Sequence, residues 1–368
     1  MIEIHKATIH AIELNLLSPF STSYGTVTNR ELLLLEVEDI SGEAGWGEVV
    51  AFSTPWYTEE TIQTCFHMLN DFLLPALIGK RLTTPLDLQE IFNPIKRNHM
   101  SKAAIDCAVW DLFAKKNNKS LSQALGGTKE AVEAGVVVGL DDIHKMVHKI
   151  DEHLKAGYKR FKVKIKPGAD YDLIKQIRNH YPKLPLMVDA NSAYSLNDLN
   201  LLQKLDEFDL MMIEQPLDSS DIIDHRHLQQ QLRTPVCLDE SIVSYDDARK
   251  AIELGSCQVI NVKVGRVGGL TEAKRIHDLC QKSNVRLWVG GMLESGISRA
   301  HNIALASLEN FTIPGDISAS SRYWNKDVIL PEVEVDDGLI HVPKEPGIGY
   351  RVDRIFLNKV STYQKTYA

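Results

Sequence analysis

Lys164, Asp189, Glu214, Asp239 and Lys263 follow one another at intervals of 25, 25, 25 and 24 residues. Each stands at or near the end of a short apolar run: FKVKIK, PLMVDA, LMMIEQ, PVCLDE and VINVKV. Lysines can move protons and stabilise developing negative charge, and carboxylates can hold a cation. An interval of this length holds a strand, a helix and two turns, so each βα unit delivers one ionisable residue at the same place. In a parallel barrel the carboxyl ends of neighbouring strands converge on one face, where sites of this fold are built. Two lysines and three carboxylates are therefore expected to meet there, which reads as the active site of an enzyme.

Within Lys162-Val163-Lys164-Ile165, strand alternation puts both lysines on one face and Phe161, Val163 and Ile165 on the other. The lysines are expected to point into the barrel and the apolar set to pack on helices. Two ammonium groups a strand period apart repel each other, and burial adds to that cost. At least one lysine pKa is thus expected to fall toward the range of a general base. Asp189, Glu214 and Asp239 are hard oxygen donors, which suit Mg²⁺ better than zinc. Asn191 shares the inward face two residues after Asp189, and Glu240 follows Asp239 directly. Spacing does not decide which of the last two would touch a metal; the reading preferred here gives Asp239 that contact and sets Glu240 behind it. Lys263 arrives across the barrel mouth from Lys164. Taken singly, each residue fits an amphipathic strand, a helix cap or a solvated turn; the shared register is what sets them apart.

The elements that must carry these residues are legible in outline. Residues 1–60 read as strands: IEIHKATIHAIEL alternates, ELLLLEVED follows, and AGWGEVV closes a meander. From Thr58 to about Leu125 the spacing is helical, and Ser101 is a candidate cap for SKAAIDCAVWDLFAKK. After Gly126-Gly127, eight strand candidates alternate with amphipathic segments from Ala134 to Asp316, the closure number of a (β/α) barrel of TIM type. The eighth, FTIPGD, is thin, because it contains Pro314 and no convincing helix follows it. The expected fold is α/β: an α+β capping domain over residues 1–125, a modified barrel over 126–322, and a segment 323–368 that returns to the cap. The length of 368 residues accommodates a barrel of about 250 plus a smaller domain.

Composition excludes several classes. A net charge of −8 argues against a nucleic-acid partner, and 44% hydrophobic with 24% charged residues is ordinary for a globular chain. The amino terminus never sustains the apolar stretch of a signal peptide, and no run approaches a membrane span, so a cytoplasmic location is expected. Five cysteines without CxxC spacing read as free buried thiols. His144 and His148 have zinc-binding spacing but lack the glutamate of HExxH and fall on an outer helix. The glycines of VGRVGGL match neither dinucleotide nor phosphate motif and read as a tight loop beside the site. A Schiff-base lyase would not need three carboxylates, and a silent binding barrel would be expected to have lost a lysine or an acid.

With those residues in place, the chain resembles the enolase superfamily, muconate-lactonising subgroup, in which a KxK strand, three metal carboxylates and a further lysine line the barrel mouth. KAAIDCAVWDL at 102–112 extends the resemblance into the first domain. PWYTEE at 55–60, KVKIKPG at 162–168, GGMLESGISRAHNIALAS at 290–307 and PGDISAS at 314–320 are similar to the o-succinylbenzoate synthases and N-acylamino acid (N-succinylamino acid) racemases. PGDIS departs from the Asp-x-Asp of dipeptide epimerases. The resemblance implies Lys164 as acid/base, Lys263 as the opposing lysine, Lys162 as a neighbouring charge, and Asp189, Glu214 and Asp239 as ligands of Mg²⁺, for which Mn²⁺ can substitute. It implies a small carboxylate substrate bearing a succinyl group, proton abstraction through an ene-diolate, and a homo-oligomer with no membrane partner. By the same analogy, loops around 18–26 and 51–57 cover the substrate with Phe20, Tyr24, Phe52 and Tyr57, and Gly291 and Met292 line it from the barrel.

Overall fold

The computed structural model describes residues 1–21 and 26–368. Its first domain is an antiparallel meander of β1 (Ile2–Ser21), β2 (Thr26–Asp39) and β3 (Ala44–Val49). Leu32–Leu35 is apolar at every position because both faces of β2 are covered. Leu33 and Leu35 enter the core of the cap, whereas Leu32 and Leu34 enter the large cluster continuous with the barrel. Against this sheet lies α1 (His99–Lys116), buried around its circumference from Met100 to Ala114. A helix that is apolar all round has neighbours on every side, and here they are β3 and the barrel. A Cβ at Gly47 would come within 1.9 Å of the Ala104 carbonyl oxygen, so the glycine permits the close approach of strand and helix.

Ser101 is not the cap of α1. The helix begins at His99, and the carboxylate of Glu60 accepts from the Met100 and Ser101 amides at 3.0–3.3 Å. The free donors of the first turn are satisfied from 40 residues away, which no local pattern announces.

The barrel is a parallel sheet in chain order: β4 (Gly135–Val138), β5 (Arg160–Lys164), β6 (Leu186–Asp189), β7 (Ile213–Glu214), β8 (Val236–Leu238), β9 (Val259–Val262) and β10 (Arg286–Val289). Between them run α2 (Ile143–Lys155), α3 (Tyr171–His180), α4 (Leu199–Lys204), α5 (Ile223–Gln231), α6 (Tyr245–Leu254) and α7 (Leu270–Lys282), with α8 (Gly296–Ala306) after β10. Each outer helix turns its apolar stripe inward, as Met146 and Ile150 do from α2. The eighth segment is not a regular strand, since Pro314 has no amide to donate. It still closes the ring. Ile313 and Asp316 donate to Leu287 and Val289 on one side, and Gly135 and Gly315 bond to Gly315 and Glu133 on the other.

The C-terminal segment divides its contacts. Leu339–His341 pairs with Ala131–Glu133 at the entry to the barrel, while β11 (Ser361–Tyr367) pairs antiparallel with β1. All five cysteines are free and buried, and His144 and His148 lie exposed on α2, His148 paired with Glu152 at 3.3 Å. Among the described residues no helix is long and apolar enough to cross a membrane.

Candidate active site

Alternation decides what enters the barrel. From β5, Phe161 and Val163, with Ile165 just beyond it, join the apolar cluster that holds the surrounding helices, and Arg160, Lys162 and Lys164 are left to the interior. Met187, Met212, Cys237, Val259, Trp288 and Ile313 form a separate apolar cluster inside the barrel. One strand period beyond the first three of these stand Asp189, Glu214 and Asp239. Lys164 pairs in register with Asp189, and Asp189 with Glu214. The five residues thus form a row across five adjacent strands, three carboxylates flanked by a lysine at either end.

The contacts are short. Lys164 Nζ donates to Asp189 Oδ2 at 2.6 Å and to Asn191 Oδ1 at 2.7 Å. Lys263 Nζ donates to Asp239 Oδ2 at 2.9 Å and to the Tyr57 hydroxyl at 2.7 Å. Lys162 Nζ lies 2.6 Å from Asp316, 3.2 Å from Glu214 and 3.5 Å from Asp189. A Cβ on Gly290 would sit 2.9 Å from Lys263 Cε, so this glycine leaves room for the lysine stem.

The expected fall in lysine pKa does not occur at Lys162, and Lys263 is likewise raised. Burial alone would lower both, but Asp316, Glu214 and Asp189 outweigh it at Lys162, and Asp239 does so at Lys263; both ammonium groups are held well above their ordinary range. The lysines sit among carboxylates rather than against each other. Burial likewise opposes ionisation of Asp189 and Asp239, yet Lys164 and Lys162 hold the first low, and Arg266 and Lys263 the second. Glu214 goes the other way: burial, then the charge of Asp189, pushes it well above the usual carboxylate range. Burial and Asp239 raise Glu240 to about 7.

Glu214 therefore has too little positive charge. Its Oε2 is buried and meets Lys162 Nζ at 3.2 Å without hydrogen-bond alignment, while its Oε1 accepts from Asn261 Nδ2 at 2.8 Å. Among the described residues no three acidic, histidine or cysteine side chains stand close enough to enclose a metal ion as they are. Lys164 and Lys263 instead take up oxygens of the two outer carboxylates. An all-oxygen donor set in which one buried carboxylate oxygen, Glu214 Oε2, lacks a hydrogen bond is the chemistry that a hard divalent cation satisfies, so the residues fit such an ion.

The cap closes the cavity from above. A space of about 100 Å³ is lined by Lys162, Lys164, Asp189, Asn191 and Lys263 at its floor, and by Phe20, Phe52, Tyr57, Gly291 and Met292 around its walls. Every residue singled out in the sequence for substrate contact lines it except Tyr24, which lies outside the described residues. Phe52 is also part of the cap's own core, so it serves both surfaces. Tyr57, held protonated by burial and by Asp239 with its pKa pushed up to about 12, accepts from Lys263 and from Arg266. Glu240 stands behind the row, its Oε1 accepting from Asn191 Nδ2 at 3.0 Å.

Several neighbours escaped the sequence reading. Asp316 binds Lys162 and the fully buried Arg160. It lies 53 residues after Lys263, past two beats of the 24- to 25-residue interval, so the spacing does not point to it. Asn261 stands one strand period before Lys263, as Lys162 does before Lys164. Arg266, which pairs with Asp239, and Gln215, whose Oε1 accepts the Asp239 and Ser241 amides, carry no such signal. Nor do Trp56, Leu293, Glu294 and Tyr323, which complete the wall. Asn191, Ser192, Gln215 and Leu293 all have positive φ; such strained backbone clusters where side chains are aimed at a site.

Comparison with known proteins agrees with this architecture. Residues 4–126 match the family described as mandelate racemase / muconate lactonizing enzyme, N-terminal domain, and residues 145–355 match the enolase C-terminal domain-like family. The chain is 54% identical over 362 residues to an o-succinylbenzoate synthase of Bacillus subtilis, covering 98% of each. It is 44% identical over 363 residues to an N-succinylamino acid racemase of Thermus thermophilus, again covering 98% of each. The crystal structure of an enolase superfamily member from Listeria innocua superposes with a TM-score of 0.97 at 42% identity, covering 100% of this chain and 99% of that one. With matched domains at both ends, relatives aligned along nearly its whole length and the row of lysines and carboxylates at the barrel mouth, the chain belongs to the mandelate racemase / muconate lactonizing group of the enolase superfamily.

Proposed function

We propose that this chain is an o-succinylbenzoate synthase, which dehydrates 2-succinyl-6-hydroxy-2,4-cyclohexadiene-1-carboxylate to o-succinylbenzoate, a step of menaquinone biosynthesis. The observation that carries the reading is the row itself, three carboxylates on adjacent strands with a lysine at each flank. Asp189, Glu214 and Asp239 would hold Mg²⁺, or Mn²⁺ in its place. Bound there, the ion would supply positive charge beside a substrate carboxylate that gains a second negative charge. Lys164 takes the proton alpha to the carboxylate. Lys263, as the ammonium ion, stabilises the charge that develops on the opposite side. The hydroxyl on the adjacent carbon leaves as water with the proton that Lys164 removed, and the ring becomes aromatic. Lys162 keeps a fixed positive charge under the site, and the cap over the cavity excludes water.

A second reading, N-succinylamino acid racemase, alone or alongside the synthase activity, is supported by the placing of lysines at both ends of the row and by the Thermus relative. There Lys263 would return a proton to the face opposite Lys164. Five free buried thiols support a reducing, cytoplasmic setting. The deciding experiment assays the purified Mg²⁺-loaded protein side by side on the cyclohexadiene carboxylate and on N-succinylamino acids. The synthase reading expects efficient formation of o-succinylbenzoate; efficient racemisation with no synthase turnover would overturn it in favour of the second.

A further inference from the structure

The catalytic cavity opens beside a second one of about 530 Å³, and the two share Phe20, Val137, Lys164 and Asn191 in their walls. Their charges are sorted differently. In the catalytic cavity every lysine is engaged at the carboxylate row: Lys162 with Asp316, Lys164 with Asp189 and Asn191, Lys263 with Asp239 and Tyr57. The rest of that wall is aromatic or apolar apart from Glu294. A dianion with one carboxylate at the row finds no cation there for its other end.

The second cavity supplies one. Arg322 lines it half-buried, donates through one nitrogen to the Val137 carbonyl at 3.1 Å, and has its guanidinium 5.8 Å from the centre of the Tyr323 ring. No carboxylate lies within ion-pair distance of it among the described residues. Lys166, exposed on the loop after β5, is likewise without an acidic partner among them, whereas Lys149 is paired with Asp141 at 3.3 Å. Consecutive residues thus face consecutive chambers, Tyr323 the catalytic one and Arg322 the next. Phe20 and Tyr323 meet edge to face between them, ring centres 6.5 Å apart. An extended acyl arm starting at the row can pass this aromatic pair and end at a guanidinium whose planar fork suits a carboxylate.

We propose that the second cavity is the subsite for the distal carboxylate of the succinyl arm, with Arg322 as its specificity-determining anchor and Lys166 as a supporting charge. The inference rests on the reading given under Proposed function and names the element that would select a succinyl over a plain acyl chain. The test is equilibrium binding of two ligands to the Mg²⁺-loaded protein: o-succinylbenzoate, and 2-butanoylbenzoate, in which a methyl group replaces the distal carboxylate. The native protein should prefer the first by about tenfold, as one partly screened charge-assisted contact provides. Arg322→Met should remove most of that preference by weakening o-succinylbenzoate about tenfold and 2-butanoylbenzoate less than about twofold. Arg322→Lys should keep part of the preference, and Lys166→Met should reduce it less than Arg322→Met does. Retained binding of the butanoyl ligand serves as the check that the variant is folded. Equal losses for both ligands, or an undiminished preference, would overturn the subsite and leave the synthase reading standing. Failure of the native protein to bind o-succinylbenzoate at all would overturn both.

Discussion

Replacing Asp316 by asparagine keeps the shape of the side chain and removes its charge from between two buried cations. Asp316 accepts from Arg160 at 2.6 Å and meets Lys162 Nζ at 2.6 Å, and those partners are 0% and 5% exposed at the side chain. Breaking a buried pair on one side costs about 3–5 kcal/mol, because the cation left behind stays desolvated. Compensation exists: Arg160 keeps the Pro314 carbonyl at 2.9 Å, and Lys162 keeps Glu214 at 3.2 Å. The loss should therefore fall near the lower end, about 3 kcal/mol at pH 7. Urea unfolding of the native protein, Asp316→Asn, Lys162→Met and the double variant measures both this loss and the coupling, for which about 1–3 kcal/mol is expected. The pH dependence has a definite sign. Burial opposes ionisation of Asp316, but Arg160 and Lys162 hold its carboxyl below the usual range. Its contribution is thus complete above the unfolded pKa of about 4 and fades as pH falls below it, so the gap between native protein and variant should narrow in acid. A loss under about 1 kcal/mol at pH 7, a coupling near zero, or a gap that widens on acidification would refute the reasoning.

Chelation should abolish turnover and Mg²⁺ or Mn²⁺ restore it, with Asp189→Asn, Glu214→Gln and Asp239→Asn each weakening metal affinity by calorimetry and Glu240→Gln doing so less. Full activity in metal-stripped protein would sink that assignment. Lys164→Ala and Lys263→Ala should each end racemisation of N-succinylamino acids while preserving solvent exchange of the alpha proton from one enantiomer only, a different one in each variant; NMR in D₂O distinguishes this from loss of both exchanges, which would refute the two-face arrangement. Phe20→Leu and Tyr57→Phe should alter the ratio of synthase to racemase activity more than they alter metal affinity, as wall residues would, and an unchanged ratio would remove them from the substrate's surroundings.

What the sequence disclosed, it disclosed through periodicity. Inward residues repeat every second position along a strand and every 24 to 25 along the barrel, so Lys162, Lys164, Asp189, Glu214, Asp239 and Lys263 could be found without a structure. The alternation of Phe161, Val163 and Ile165 against the lysines held for the same reason. Contacts without a period stayed hidden. Arg266 reaches Asp239 from a turn of helix, Gln215 fixes the Asp239 backbone, and Glu60 rather than Ser101 caps α1. Burial would lower the Lys162 pKa, but Asp316 on the thin eighth segment, with Glu214 and Asp189, raises it, and the expectation counted burial and the repulsion between the lysines without these carboxylates.

The way the cap is held explains why the two ends of the row are not equivalent. From β3, Glu48 accepts the Ser295 amide at 2.9 Å and the Ser298 amide at 3.0 Å, so a carboxylate of the cap closes the N-terminus of α8. From α1, Asp106 accepts the Thr271 amide at 3.0 Å and does the same for α7. Burial pushes both carboxyls up to about 7, which marks how completely the junction excludes water. Arg30, inside the cap, bonds the carbonyls of Val50 and Ala51 and, at 3.3 Å, that of Leu293, tying the loop that carries Phe52 and Tyr57 to the one that carries Met292. All these anchors fall on the βα loops after β9 and β10, the side of the barrel that delivers Lys263, and Tyr57 then bonds that lysine directly. Lys164, Asp189 and Glu214 are set by the barrel's own ladder and by Asn191 and Asn261. Among the described residues one lysine is thus held by bonds from the barrel, and the other by bonds from the barrel together with the docked cap, so the geometry of the second depends on contacts between domains.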